Sequence, residues 1–140
     1  MDRLINGLWW GSWLWLGIED IRSMQLPYPA LGLWTLSGML LLFTGASSFS
    51  VARAVLSLLS LISVTLPALA AWRNKQMGGG DVYMLAVLSL VLGLEEMMIC
   101  IAVGFTLAAM VSVPAMRLAN VKRIPLVPFL GLGVWIAGYC

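Results

Sequence analysis

The sequence predicts an all-α fold: a polytopic membrane helix bundle of about six transmembrane helices, with both termini outside. Three observations carry this expectation. Hydrophobic residues make up 61% of the 140 and charged residues only 10%, with a mean hydropathy of +0.98, more apolar surface than one soluble core of this size conceals. The few charges separate runs that are continuously apolar instead of alternating, and lipid offers an open sheet edge no partner. Lys and Arg then distribute unevenly over the connections, which sets an orientation.

The apolar runs cover residues 4–18, 31–45, 51–72, 82–94, 97–116 and 126–140. The first follows a single early Arg, and "MDRLINGLWWGSWLWLGIEDIR" contains no small-residue cleavage site, so it reads as a retained helix and not a removed signal peptide. Its tryptophans, Trp9, Trp10, Trp13 and Trp15, are expected to face lipid or pack rather than form a ligand cage. The second run follows Pro27, a residue suited to a first helical turn. The third ends on Trp72 beside Arg73, an aromatic anchor at a membrane boundary. The fourth follows "NKQMGGGD", the fifth follows the acidic turn Glu95–Glu96, and the sixth completes the chain. A helix needs about 20 residues to cross about 30 Å of hydrocarbon, so the first, fourth and sixth runs must borrow flanking residues or sit in thinned bilayer. Asn6, Ser12, Ser37, Ser57, Ser60 and Ser63 suit bonds within or between helices. No polar tract or low-complexity linker divides the chain, which reads as one domain over 1–140.

With the N-terminus outside, the inner connections hold Arg22, Arg73, Lys75, Arg117, Lys122 and Arg123, and the outer side holds Arg3 and Arg53. A net charge of +2 is too small to argue for nucleic acid as a partner, and these cations read as topology signals. Glu19, Asp20 and Asp81 then fall at the cytoplasmic face, and Asp2, Glu95 and Glu96 outside.

The inventory of reactive side chains is short. There is no histidine, and Cys100 and Cys140 are the two cysteines, which excludes most zinc sites and every Ser/His or Cys/His nucleophile. The carboxylates remain. Asp20 ends the first run and Asp81 opens the fourth, so both come to one membrane depth. Asp81 is either a helix cap or one half of a working pair. Two neighbouring carboxylates cannot both ionise cheaply, so they share a proton and can act as base and acid on water and a peptide carbonyl, with no metal and no cofactor. Gly78, Gly79 and Gly80 allow positive φ or a close approach to a substrate backbone, or form a plain turn. A phosphate loop would need Gly-Lys-Ser/Thr where this chain has Gly-Asp-Val.

Three segments carry a resemblance. "GGGD" fits the G-x-G-D signature of the type IV prepilin peptidases, "EDIRSMQLP" resembles that family's D-x-R-x-x-x-[I/L]-P, with Asp20, Arg22 and Pro27 on the fixed positions, and "KRIPLVPFLGLG" is similar to its closing I-P-x-x-P-F-L. The resemblance implies a membrane aspartic endopeptidase of the cytoplasmic (inner) membrane. It would remove the basic leader of a prepilin or pseudopilin at the cytoplasmic face, just before the substrate's apolar helix, with Asp20 and Asp81 as the catalytic pair. The paired Cys-x-x-Cys motifs that accompany N-methylation in larger relatives have no counterpart here, so no methyltransferase activity is expected. Glu19 either attracts the basic leader or is an ordinary solvated acid. One position departs from the pattern: Tyr83 stands where the family usually has Lys. That departure implies altered substrate choice, a basic group recruited from Arg22 or Lys75, or a weakened enzyme. Two other classes stay open: a proton-coupled transporter, which would place an acid near the midplane, and a non-catalytic membrane component of a pilus or secretion apparatus.

Overall fold

The computed structural model describes residues 2–44, 51–118 and 124–139. Lys122 and Arg123, assigned above to the inner face, and Cys140 lie outside the described residues. Among those described, the chain forms six helices and no strand: α1 (Asp2–Ser23), α2 (Tyr28–Thr44), α3 (Val51–Arg73), α4 (Gly79–Val91), α5 (Leu94–Leu118) and α6 (Val127–Tyr139). Two of them, α3 with 23 residues and α5 with 25, are long and apolar enough to cross a membrane. Helices α2, α4 and α6 are apolar but shorter. With 13 residues each, α4 and α6 rise about 20 Å.

The helices pack as three antiparallel hairpins, α1 with α2, α3 with α4 and α5 with α6, and α1 also lies along α6. One end of the bundle therefore collects the C-termini of α1, α3 and α5 and the N-termini of α2, α4 and α6. Arg22, Arg73, Lys75 and Arg117 belong to that end. At the other, Glu95 and Glu96 lie in the first turn of α5 and not in a turn between helices. The Gly93 N–H donates to Glu96 Oε2 at 3.2 Å, half of a capping box at the positive end of the helix dipole.

Tryptophans form the centre of the α1/α2 hairpin. Trp9 stacks on Trp34 with ring centroids 5.0 Å apart, and Trp13 meets both edge-on. Gly38 makes the room, since a Cβ there would run into the Trp9 ring. Trp9 and Trp13 are thus packing residues, while Trp15 stays exposed. Ser12, Ser37 and Ser63 donate to carbonyls three residues back within their own helices.

Glycine also sets the α5/α6 contact. A Cβ on Gly133 would come 2.5 Å from the Cys100 carbonyl oxygen, and one on Gly104 would come 3.2 Å from that of Phe129. Backbone cannot yield as a side-chain tip can. Gly133→Ala is accordingly expected to destabilise the bundle by about 1–3 kcal/mol, read as a lower Tm in detergent. Gly11→Ala, whose Cβ meets nothing within 4 Å, is expected to be neutral or to stabilise by up to about 1 kcal/mol. Identical Tm values for Gly133→Ala and the parent would contradict the contact.

The same register sets the level at which α6 begins. With Gly104 facing Phe129 and Leu130, and Cys100 facing Leu130 and Gly133, Phe105 stands near the level at which α6 begins. The remaining dozen or so residues of α5 run on past the α6 N-terminus for about 18 Å. Met110, Val113 and Met116 on this extension are exposed.

Candidate active site

From different hairpins, two carboxylates reach the end of the bundle at which α6 begins. Asp20 lies in the last turn of α1 and is buried. Leu126 caps α6, its carbonyl accepting from the Leu130 N–H at 3.0 Å, and Val127 is the first helical residue. The Val127 N–H has no partner within its own helix and donates instead to Asp20 Oδ2 at 3.1 Å. A side chain of α1 thereby satisfies a donor at the positive end of α6.

Asp81 is the third residue of α4, half-buried, with Gly78 as the N-cap residue. The glycines before it act by their size and not by unusual dihedrals. Gly78 has φ −74° and ψ 149°, and no described glycine has positive φ. A Cβ on Gly78 would lie 3.2 Å from Asp81 Oδ2, and one on Gly80 would lie 2.7 Å from the tip of Leu26. Gly79 and Gly80 are helical; Gly80 brings α4 against Leu26 of the α1–α2 connection, and Gly79 faces Trp72 of α3. The left-handed residues are Met24 (φ 54°) and Lys75 (φ 57°).

Asp20 and Asp81 share the wall of one cavity of about 460 Å³. Lys75, Gln76, Met77 and Gly78 supply its α3–α4 side, Met24 the end of α1, Phe105 the α5 side, and Ile124 and Leu126 the approach to α6. No further acid lines it among the described residues. Among the described residues no three His, Cys, Asp or Glu gather as a metal-binding group.

Both aspartates lie outside the apolar runs 4–18 and 82–94, at the ends of their helices. Burial raises the Asp20 carboxyl above the ordinary carboxylate range, and the backbone amides of Val127 and Leu126 offset part of that rise. Asp81 is pushed up to about 6, first by burial and then by the Asp20 charge, with the Gly78 amide pulling the other way. Each is thus more easily protonated than a free carboxylate, and the Coulomb contribution places the two in electrostatic reach of each other. With Asp81 near 6, such a pair takes up a proton in mildly acidic conditions and can then both accept and give one.

The other residues singled out in the sequence are placed differently. Glu19 is half-buried on α1 and does not line the cavity. Tyr83 turns from it toward α2, where its hydroxyl lies 3.0 Å from Thr35 Oγ1. Because the Thr35 hydroxyl is donated to the Leu31 carbonyl at 2.7 Å, Tyr83 is the donor in that pair. Of the two cations weighed as substitutes for the missing Lys, Lys75 lines the cavity and Arg22 does not. Sequence reasoning missed Gln76, Met77, Phe105 and the Val127 amide. The proline-framed segment "IPLVP" was the signal for the last of these.

The model of a family described as the type IV leader peptidase family matches residues 8–113, about three quarters of the chain, and the matched stretch contains both Asp20 and Asp81. No curated protein and no solved structure matches the chain.

Proposed function

The chain belongs to the type IV leader peptidase family, and on that premise we propose that it is a membrane aspartic endopeptidase in which Asp20 and Asp81 form the catalytic pair. The observation that carries this reading is the convergence of two acids, from α1 and α4, in one cavity with no third acid among the described residues of its wall. Water held between them loses a proton to the ionised carboxylate as its oxygen bonds to the scissile carbonyl carbon. The protonated carboxyl gives its proton to the carbonyl oxygen. When the tetrahedral intermediate collapses, the C–N bond breaks, the leaving amine takes a proton from one carboxyl and a hydroxyl of the intermediate returns one to the other carboxylate, so that the pair again holds one.

The substrate in this proposal is a prepilin-like or pseudopilin-like chain, a short basic leader followed by an apolar helix. Met24, Met77, Phe105, Ile124 and Leu126 give the cavity an apolar side on which such a segment can lie, and the acids favour a cationic one nearby. Helix α5 continues beyond the cavity and extends that apolar surface. The proposed setting is the cytoplasmic membrane, with six spans, both termini outside and the pair at the cytoplasmic face. The cation count supports this orientation, since the end of the bundle that holds the pair also holds Arg22, Arg73, Lys75 and Arg117.

The test is cleavage of a prepilin-like substrate by the purified chain in proteoliposomes, with the products mapped by mass spectrometry. The expected result is one cut at the junction of leader and apolar helix, with no methyl group added to the new N-terminus. A substrate that stays intact under conditions where the chain is folded would overturn the peptidase reading.

A further inference from the structure

We propose that the N-terminus of α6 is a positioning element of the catalytic pair: the Val127 N–H holds Asp20 as the ionised member, so that the shared proton resides on Asp81. This rests on the peptidase reading for its kinetic consequence, but the assignment of the proton stands on the resting protein.

The geometry is asymmetric. Asp20 is buried and its Oδ2 accepts directly from the Val127 N–H at 3.1 Å. Pro128, the second residue of α6, has no N–H, which leaves Val127 as the foremost donor of that helix end. A hydrogen bond donated to a carboxylate oxygen favours the charged form, and it is stronger than one to a neutral acceptor. Asp81 also sits at a helix N-terminus, whose dipole favours its anion. What separates the two is their supply of amides: Asp20 Oδ2 accepts directly from the Val127 N–H and the Leu126 amide also favours its anion, whereas Asp81 has the Gly78 amide alone. The elevation of Asp81 by burial and by Asp20 agrees with this order.

Among the described residues, the surroundings contain few competing charges. The α3–α4 connection contributes Lys75 to the wall, α5 contributes Phe105, and the stretch before α6 contributes Ile124 and Leu126. Glu19 and Arg22, on α1 itself, do not line the cavity. Lys75 is the one cation among the described lining residues, and its charge favours both anions. In the reaction, Asp20 then takes the proton of the attacking water and Asp81 delivers its own to the carbonyl oxygen, with no net change in the protons on the pair.

Val127 allows the donor to be removed selectively. It occupies the first helical position, where Pro is favourable because that N–H has no partner inside the helix. Val127→Pro deletes the hydrogen bond to Asp20, and Val127→Ala keeps it while removing side-chain volume from the same buried site.

The experiment is a pH titration of modification by an apolar carbodiimide, which attacks protonated carboxyls, with Asp20 and Asp81 followed separately by peptide mass spectrometry. In the parent, Asp81 should remain reactive to a pH at least one unit above that at which Asp20 falls silent. In Val127→Pro, Asp20 reactivity should persist to higher pH, and the acid limb of kcat/KM should move up with it. Val127→Ala should keep both at their parental positions. Simultaneous loss of reactivity at the two sites in the parent, or Asp20 outlasting Asp81, overturns the proposal whether or not Val127→Pro folds. So does a folded Val127→Pro protein with an unchanged Asp20 titration. Because the modification needs no substrate, absence of cleavage refutes the peptidase reading and leaves this test standing.

Discussion

Asp20→Asn and Asp81→Asn are each expected to lower cleavage of a prepilin-like substrate by about 10⁴-fold, as members of a unit whose loss is felt almost whole when either is removed. The amide keeps the size of the side chain and removes the titratable oxygen. It therefore removes the shared proton without opening a cavity. At Asp20 the change also replaces a charge that accepts from the Val127 N–H by a neutral carbonyl, so a modest fall in Tm accompanies the loss of activity; at Asp81 the fold should be kept more fully. Glu19→Gln, Glu95→Gln and Glu96→Gln serve as controls. None of these three lines the cavity, and Glu96 caps α5 at the opposite end of the bundle. Each should retain activity within about tenfold of the parent, read as initial rates under kcat/KM conditions. A control that abolishes cleavage as thoroughly as Asp81→Asn would move the chemistry away from the pair.

Removing the apolar helix from the substrate is expected to reduce kcat/KM by about 10²-fold or more, because binding energy from the non-reacting part positions the scissile bond. Phe105 and Leu126 flank the pair, and α5 runs on past it, so an apolar segment finds a continuous surface beside the acids. A soluble leader peptide has only the polar side of the cavity to bind. Turnover of the helix-less peptide at the rate of the intact substrate would show that recognition resides in the leader.

The fold was legible because its main signal is compositional. Six apolar runs became six helices in order, and Pro67 and Pro114 did not break α3 and α5. Boundaries were less legible, and each shift has a local cause. Helix α4 starts at Gly79, inside what reads as a breaker, because residues at the first helical positions have no intrahelical N–H bonds to lose and a missing side chain lets Leu26 approach Gly80. Helix α5 starts at Leu94 and takes in Glu95 and Glu96, since acids in a first turn are favourable.

At the candidate site, subtraction in a chain without histidine left six carboxylates, and the common depth of Asp20 and Asp81 with the motif resemblance singled out those two. Their partners could not be picked out this way. Lys75 enters the wall through a left-handed backbone, Phe105 through the register of α5 against α6, and Val127 through its main-chain amide, which has the same chemistry at every residue but proline. Tyr83 illustrates the converse. Its place in the motif suggests the site, yet its hydroxyl is engaged with Thr35, because residues two apart on a helix do not share a face.

The most direct measurement of the central claim is a double-mutant cycle on single-turnover cleavage with Asp20→Asn, Asp81→Asn and both together. If the two carboxylates act as one unit on one water, the double variant is no slower than either single variant by more than about tenfold. Losses that multiply, or an Asp81→Asn protein that cleaves at the parental rate, would contradict it.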